Sequence, residues 1–228
     1  MATAKTNEVN VQDLFDAELH LGHKRNRLHP RARKYVYKMD NGISIIDLTQ
    51  TVSQVEKAKS FLQTMKEDQK VVLVVATKKV AAPVIAEYCK QHAIPFITAK
   101  WLPGLLTNFE TLAKNIKKLN DLKAEEAQGA WSNLAKHETV KLKKQIARLE
   151  KFYGGISTLT AHPSALFIID SKKEHNAVDE AQKSSIPVVA VTDTNTDPDT
   201  VQYPIVANDD SPKAIEYIVT QILGVLAK

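Results

Sequence analysis

Residues 71–76 have the sequence Val-Val-Leu-Val-Val-Ala, an unbroken apolar run in which four of six side chains are β-branched. A short run without polar alternation is typical of a strand buried on both faces of a parallel sheet. Two further runs of this kind follow at 165–169, Ala-Leu-Phe-Ile-Ile, and at 188–191, Val-Val-Ala-Val. Residues 43–46 and 95–98 are weaker candidates of the same type. The sequence therefore predicts a mainly parallel sheet.

Amphipathic stretches lie between the predicted strands. Their apolar residues recur at spacings of three and four, the period of a helix, within 52–62, 84–89, 177–181 and 215–226. Strands that alternate with helices favour a layered fold in which helices cover both faces of the sheet through right-handed crossovers. We therefore expect an α/β protein with a doubly wound, mainly parallel sheet flanked by helices.

Residues 105–153 interrupt this alternation. Apolar residues recur at spacings of four and three in 105–119 and again in 142–153, with a break at 128–129. Such a heptad pattern predicts two helices that pair as an inserted antiparallel helical hairpin of the coiled-coil type. The residues expected to be buried mainly against one another in this seam are Leu112, Ile116, Ile146 and Leu149.

The chain is thus expected to have three parts. Residues 1–104 form the first part of the α/β domain with a basic N-terminal loop, 105–153 form the hairpin insertion, and 154–228 complete the α/β domain. The 228 residues, 43% of them hydrophobic, suffice for a well-buried core. The single Cys89 excludes an intramolecular disulfide framework and fits a reducing compartment. Because no segment has the pattern of a secretory leader or a membrane span, we expect a cytoplasmic protein.

Charge is distributed unevenly along the chain. Residues 20–38 contain seven Lys or Arg, three of the seven histidines and no carboxylate, whereas 193–210 contain five aspartates and no Lys or Arg. Residues 100–151 hold eleven Lys or Arg against six Asp or Glu, so the hairpin is expected to form a basic blade. Concentrated positive charge usually meets a polyanion, and nucleic-acid phosphates fit a cytoplasmic protein better than anionic lipid does. A solvated basic surface without a ligand is the alternative. We expect one basic face and a separate acidic face.

Motifs for nucleotide and metal chemistry are weak in this sequence. No G-x-G-x-x-G follows a predicted strand, no P-loop motif occurs, and the glycines at 154–155 follow a helix, where they indicate a C-cap and a turn. The segment 193–199 resembles a calcium loop, but Pro198 and Pro204 stand where such a loop needs Gly and Glu. Asp170 also ends a predicted strand, with no second convergent carboxylate assigned beside it. We therefore expect an acidic turn at 193–199 rather than a catalytic or metal site.

Histidines and aromatic residues offer further candidates. His20 and His23 are three residues apart, but a zinc site needs three or four ligands, and no third ligand is close in the sequence. Packing or phosphate contact is therefore the favoured role for both. Tyr35, Tyr37 and Trp101 could stack on unpaired bases. The two tyrosines alternate and could instead share the core-facing side of a strand, so Trp101 is the stronger candidate.

Nine segments of the chain, taken together and in order, resemble those of one known family. They are 19–24, 29–30, 41–48, 76–79, 100–109, 154–156, 165–175, 186–199 and 208–210. In this order they closely resemble the ribosomal protein S2 family of the small ribosomal subunit, in its bacterial form. The resemblance extends from about Leu14 to Leu226, nearly the whole chain.

The resemblance implies a structural role rather than catalysis. The resemblance implies a doubly wound α/β domain with a protruding helical hairpin. It also implies that the protein joins the small subunit late in assembly. Its place there would be the solvent side, at the junction of the head and the body. A relative of this kind would hold folded 16S rRNA by phosphate contacts and shape. It would also help to recruit the large first protein of the small subunit and contact other small-subunit proteins. The resemblance therefore implies a ribosome-bound cytoplasmic protein with no cofactor, metal or membrane partner.

Basic residues of the N-terminal loop and of the hairpin, with a few residues of the resembling segments, are the predicted rRNA contacts. They are His23, Lys24, Arg25, Arg27, His29, Arg31, Arg33, Lys34, Lys78, Lys79, Lys100, Trp101, Asn108, Lys114, Lys117, Lys118, Lys143, Lys144 and Arg148.

A protein of a different class is the alternative. Doubly wound sheets bind ligands outside the carboxyl ends of their strands. An α/β enzyme or binding protein for a phosphorylated small molecule could therefore use Asp170 and Asp193, which follow two predicted strands.

Overall fold

The computed structural model describes residues 9–132 and 134–227, and these contain seven α-helices and eight strands. The helices are α1 (Val11–Asp16), α2 (Leu48–Glu67), α3 (Ala81–Gln91), α4 (Phe109–Ala127), α5 (Lys136–Tyr153), α6 (His175–Lys183) and α7 (Pro212–Ile218), which continues into a π-helical turn, Val219–Leu223. The strands are β1 (Leu21–Lys24), β2 (Val36–Asp40), β3 (Ile43–Ile46), β4 (Val72–Val75), β5 (Phe96–Ile97), β6 (Ala165–Ile169), β7 (Val188–Thr192) and β8 (Tyr203–Val206). Short 3-10 turns lie at Arg25–Arg27, Pro30–Tyr35, Gly154–Ile156 and Pro198–Thr200. Within the described ranges no helix has the length and apolar character needed to cross a membrane.

Five strands form the main sheet, in the order β5-β4-β6-β7-β8, and every pairing is parallel. The inner strands β4, β6 and β7 are buried along their whole length. These are the three unbroken apolar runs of the sequence, and helices cover both of their faces, so the predicted α/β class with a parallel sheet is confirmed.

The two edge strands were harder to predict. Strand β8 includes Pro204, which cannot donate a hydrogen bond to a neighbouring strand and is tolerated only at an edge or a strand end. For this reason its sequence lacks the signature of the inner strands. At the opposite edge, the candidate at 95–98 contributes only the two residues of β5.

Residues 43–46 form a strand, but not one of the parallel sheet. Strand β3 lies between β1 and β2 in a separate three-stranded antiparallel sheet, so the assignment of 43–46 to the main sheet is wrong. The turn between β2 and β3 consists of Asn41 at φ 46° and Gly42 at φ 79°. An Asn-Gly pair with both φ angles positive is the usual two-residue hairpin turn, and this signal was present in the sequence.

The two faces of the main sheet belong to two hydrophobic clusters. Alternate residues of β4 illustrate the division: Val74 joins a cluster with α2, α3 and α7, whereas Leu73 joins a cluster with α4, α5 and α6. The parallel strands between the two clusters are therefore covered on each side. The helical hairpin is thus one of the layers that cover the sheet.

This placement changes the interpretation of the hairpin. Helices α4 and α5 do pair, but Ile116 and Leu119 are buried in the same cluster as strand residues, and Leu112, Ile146 and Leu149 are only partly buried against that cluster. The expectation that the seam residues are buried mainly against one another is therefore not confirmed and stays a prediction. A helical period shows which residues share a face, but not what that face contacts. A coiled coil is not confirmed, and the division of the chain at 104 and 153 remains a prediction.

The glycines after α5 form the C-cap and the turn that the sequence predicts, and the second glycine has a further role. Gly154 keeps a right-handed helical φ of −56° and leads into a 3-10 turn. A Cβ atom on Gly155 would lie 2.2 Å from the backbone oxygen of Phe96. The second glycine is thus required by the close approach of the hairpin's end to β5.

Candidate nucleic-acid interface

The basic N-terminal loop is held against the acidic segment that follows β7. The backbone N–H of His29 donates to the carbonyl oxygen of Thr194 at 2.8 Å, and that of His23 donates to Thr194 Oγ1 at 2.9 Å. A Cβ on Gly22 would lie 2.7 Å from Thr194 Cγ2, so only glycine allows this approach. The basic and acidic segments are therefore neighbours, and the expected separation into two faces is wrong.

Two exposed ion pairs cross this contact. Arg31 Nη1 donates to Asp197 Oδ2 at 2.7 Å, and Lys34 Nζ donates to Asp199 Oδ1 at 2.8 Å. The hydrogen bond that Lys34 donates to Asp199 raises the pKa of the lysine. Exposed pairs of this kind contribute little to stability, but they fix the path of the loop and neutralise two of its cations.

His23 forms the most buried contact between the two segments. Its Nδ1 lies 2.6 Å from Asp193 Oδ2, and its Nε2 lies 2.8 Å from the Asn195 amide nitrogen and 3.7 Å from Asp210 Oδ2. The hydrogen bond with Asp193 raises the pKa of His23 above its ordinary value, although burial opposes the effect. By contrast His20, the other histidine of the pair, stacks on Phe15 with ring centroids 4.2 Å apart.

Three of these residues, His23, Asp193 and Asp210, could together hold a metal ion. One ligand atom each from His23, Asp193 and Asp210 lies within 4.8 Å of the others. Imidazole and carboxylate ligands suit zinc and similar divalent cations. The sequence argument against a metal rested on the lack of a nearby third ligand, and it missed this group because about 170 residues separate the histidine from the aspartates.

A second charged cluster, centred on Lys78, occupies the carboxyl edge of the main sheet. Lys78 follows β4, and its Nζ lies 2.6 Å from Asp210 Oδ1, 2.7 Å from Asp209 Oδ1 and 3.3 Å from Asp170 Oδ2. Burial alone would lower the pKa of Lys78, but its three carboxylates raise it. Burial, together with repulsion from Asp170 and Asp193, raises the pKa of Asp209 to about 7.

This cluster lies where a doubly wound sheet would bind a small ligand. Asp170 and Asp193, the two aspartates that an enzyme could use, both lie at this edge, but each has a basic side chain of the protein beside it, Lys78 and His23 respectively. Lys78, which the sequence assigned to RNA, has its ammonium among carboxylates, and its side chain is only 14% exposed. The crevice is thus occupied by the protein's own charges.

Other cations of the loop are free to meet a ligand. Four of them are exposed, and within 9–132 and 134–227 the structure shows no salt bridge to any of the four. These four, which we call the free cations, are Lys24, Arg25, Arg27 and Arg33. One of the four, Arg27, still acts on a carboxylate at longer range: burial opposes the effect, but Lys78, His23 and Arg27 together lower the pKa of Asp210.

Lys24 is the last residue of β1, Arg25 and Arg27 lie on the first 3-10 turn, and Arg33 lies on the second. The Arg25 N–H donates to the carbonyl oxygen of Gly42 and the His29 N–H donates to that of Thr194, and these two bonds anchor the loop.

The hairpin presents its cations on helix surfaces. Every predicted contact on α4 and α5 is exposed. These are Lys114, Lys117, Lys118, Lys143, Lys144 and Arg148. Lys143 Nζ is 3.7 Å from Glu126 Oε1 on the other helix, and Lys123 pairs with Glu150. Lys79 and Lys100 are also exposed, near the ends of β4 and β5.

Trp101 does not offer an open ring for stacking. It is only 4% exposed, and its indole N–H donates to Glu180 Oε1 at 3.1 Å. The same carboxylate accepts the backbone N–H groups of Gly104 at 2.8 Å and Leu106 at 3.2 Å. Asn108, another predicted contact, precedes α4 and accepts a hydrogen bond from Thr111 Oγ1 at 2.8 Å. Glu180 lies on α6, and no sequence signal pointed to it.

The comparison with known families agrees with this geometry. A family model described as ribosomal protein S2 matches residues 14–228, which include both sheets, the basic loop, the acidic segment and the hairpin. A match over nearly the whole chain covers all the features that position the candidate interface. The chain therefore belongs to the ribosomal protein S2 family, whose members are structural proteins of the small ribosomal subunit.

Proposed function

We propose that this protein binds 16S rRNA at the head–body junction on the solvent side of the small subunit, and that it acts there in late assembly and translation without catalysing a reaction. The observation that carries the proposal is the set of free cations, which are exposed on a loop anchored to the rest of the protein. A fixed group of cations can match the spacing of phosphates at a lower entropic cost than a flexible tail can.

The hairpin supplies a second group of phosphate contacts. Its exposed lysines lie on the outer surfaces of α4 and α5, while the inner surfaces pack on the sheet. The hairpin is therefore presented by the body of the protein as a fixed basic surface. Recognition of folded RNA by shape requires such a fixed surface, because the positions of phosphates, rather than base edges, carry most of the contact.

The charged clusters weaken the alternative of a phosphate-binding enzyme. An anion that entered the crevice at Lys78 would have to displace carboxylates that already surround this ammonium at 2.6–3.3 Å. Two anions cannot share one site without a large rise in free energy. Small-subunit proteins, including the large first protein, are also among the proposed partners, as the family resemblance implies.

Co-sedimentation with protein-depleted small subunits across a salt series tests the proposal. Replacing the four free cations with Gln should weaken binding and flatten its dependence on log salt by about 0.7 to 0.9 per lost phosphate contact. The matched control replaces Arg31 and Lys34 with Gln, because these two are already paired with aspartates and should change the slope less. An unchanged slope in the first variant would remove the loop from the interface.

A further inference from the structure

The second helix of the hairpin carries a straight row of cations. Lys141, Lys144, Arg148 and Lys151 of α5 recur at spacings of three, four and three residues, so all four lie on one face of the helix. All four are exposed. This row, which we call the α5 stripe, extends for about 15 Å at the helical rise of about 1.5 Å per residue.

We propose that the α5 stripe binds consecutive phosphates along one strand of a double-stranded RNA segment, an inference that rests on the proposed function. It goes beyond that function because it selects one face of one helix as the surface that lies along the RNA. It also adds Lys141 and Lys151, which were not among the predicted contacts, and it leaves out Lys143, which lies on another face of α5 and pairs with Glu126.

The α5 stripe faces away from the rest of the protein. The roughly opposite side of α5 carries Ile146, Leu149 and Tyr153, which pack in the cluster that covers the main sheet. This packing fixes the helix, and with it the positions from which the four cations extend. A row that is set before binding loses less conformational entropy when it meets a ligand.

The carboxylates of α5 are engaged elsewhere. The helix has two glutamates: Glu138 accepts a backbone N–H at the start of the helix, and Glu150 pairs with Lys123 of α4. In the described part of the chain no salt bridge involves a residue of the stripe. Lys151 Nζ lies 5.6 Å from the centre of the Phe152 ring, a contact that leaves its charge uncompensated. Like charges at these spacings repel one another, and a polyanion would remove this repulsion.

Helix α4 has no comparable row. Three cations and three carboxylates recur along one face of this helix at spacings of three, four and seven residues, so their charges cancel. They are Glu110, Lys114, Lys117, Lys118, Asp121 and Glu125. Carboxylates within this face would repel phosphates. The α5 stripe is therefore the face of the hairpin that best suits a row of phosphates.

Double-stranded RNA fits the stripe better than a protein or an unpaired strand does. Base pairing holds the phosphates of each strand in a regular row, which a rigid row of cations can meet without first ordering the ligand. Protein interfaces, by contrast, are depleted in lysine and centre on buried apolar or aromatic anchors. The stripe is made of three lysines and an arginine and contains no such anchor.

Binding of an RNA duplex of about 16 base pairs to the full-length protein tests the proposal. In a salt series, Lys141→Gln/Lys144→Gln/Lys151→Gln should weaken binding about a hundredfold at 0.1 M salt and lower the slope against log salt by about 2 to 3. The control Lys57→Gln/Lys90→Gln/Lys183→Gln removes the same charge from exposed lysines of α2, α3 and α6 and should leave the slope unchanged. Equal effects of the two variants would overturn the proposal, since only net charge would then matter.

Two further measurements separate binding from folding and duplex from single strand. Because like charges repel along the stripe, the stripe variant should melt at or above the wild-type temperature. Should it lose its cooperative melt, the single variants Lys141→Gln and Lys151→Gln carry the test, and each should lower the slope by about 0.7 to 0.9. A single-stranded oligouridine of equal length should lose less affinity in the stripe variant than the duplex does. Equal loss with both probes would overturn the assignment to double-stranded RNA.

The outcomes distinguish this inference from the proposed function. If the stripe variant binds the duplex and protein-depleted small subunits as the wild type does, the stripe is wrong and the rRNA-binding role stands. A wild-type protein that joins small subunits but does not bind the duplex would also overturn the inference. If the wild-type protein fails to join small subunits at all, the proposed function itself is wrong. Cross-linking of Lys144 to a ribosomal protein rather than to rRNA in the assembled subunit would show a protein occupant and would overturn the inference.

Discussion

The basic loop and the hairpin both carry more cations than anions, but they meet carboxylates in different ways. In the loop, Arg31, Lys34 and His23 pair with aspartates more than 160 residues away in the chain. In the hairpin, Lys123 and Lys143 pair with glutamates of the facing helix. The loop therefore depends on the tertiary fold for its shape, whereas the hairpin carries its charges on helices. An excess of Lys and Arg over Asp and Glu in a segment can thus represent two different physical situations.

The largest expected effect concerns Lys78, whose ammonium lies among three aspartates at the carboxyl edge of the main sheet. Lys78→Met should lower the free energy of unfolding by about 3–5 kcal/mol at pH 7.5, because removal of one partner leaves buried carboxylates uncompensated. The loss should shrink at pH 5.5, where Asp209 can take a proton. Urea denaturation measures both values. Lys79→Met, at the exposed neighbouring position, is the control, and equal losses in the two variants would show that the cluster contributes nothing.

The hairpin should lose stability by a different route. Leu119 is fully buried in the cluster that includes strand residues, so Leu119→Ala should lower the unfolding free energy of the whole protein by about 2–5 kcal/mol. Leu134→Ala is the control at the hairpin's outer end, where Leu134 is 41% exposed. Calorimetry should show one transition shifted to lower temperature. A separate early transition, with the main one unchanged, would mean that the hairpin folds independently of the sheet.

The contact between His23 and Asp193, which we call the histidine clamp, makes the loop sensitive to pH. Because the pKa of His23 is raised in the folded state, its contribution is fully present below about pH 6.5 and is lost as pH rises through the raised value. His23→Gln should therefore cost about 1.5–3 kcal/mol at pH 6 and less at pH 8.5. The exposed His137 of the hairpin forms no salt bridge with a carboxylate within 9–132 and 134–227, and His137→Gln should give the same stability as wild type at both pH values. A loss independent of pH would contradict the clamp.

The smallest effect is expected from an exposed pair in each region. A double-mutant cycle of Arg31→Gln with Asp197→Asn should give a coupling of about 0.2–1 kcal/mol that falls with added salt. The longer pair between Lys143 and Glu126, at 3.7 Å, should give the smaller coupling of the two. If the hairpin pair proved stronger, the loop's contacts with the acidic segment would be incidental to its shape.

The parts of the fold that were predicted are those in which local sequence determines burial. Strands β4, β6 and β7 are apolar throughout because both of their faces are covered, so their runs were visible without any long-range information. The small antiparallel sheet was missed, although the Asn41-Gly42 turn signals its hairpin. Strand β8 was not predicted, because Pro204 and the partly exposed Tyr203 interrupt its apolar pattern. Such a pattern is tolerated in β8 because this edge strand pairs with only one neighbour.

The candidate site was less accessible to sequence reasoning. The free cations and the hairpin lysines could be proposed from charge alone. The pairing of His23 with Asp193 and the burial of Trp101 could not, since each depends on a partner far away in the chain. Sequence spacing identifies groups that share one helix or strand. It does not show which loops converge at the carboxyl edge of a sheet.

The three hydrogen bonds accepted by Glu180 have a consequence for the order of folding during synthesis. Trp101, Gly104 and Leu106 leave the ribosome more than 70 residues before the carboxylate that will hold them. The central strand β6 also emerges after both hairpin helices. A nascent chain of about 160 residues can therefore form helices α4 and α5, but it lacks β6, β7 and α6, which supply a large part of the cluster in which they pack. We expect this chain length to be the stage most exposed to aggregation and to nascent-chain chaperones.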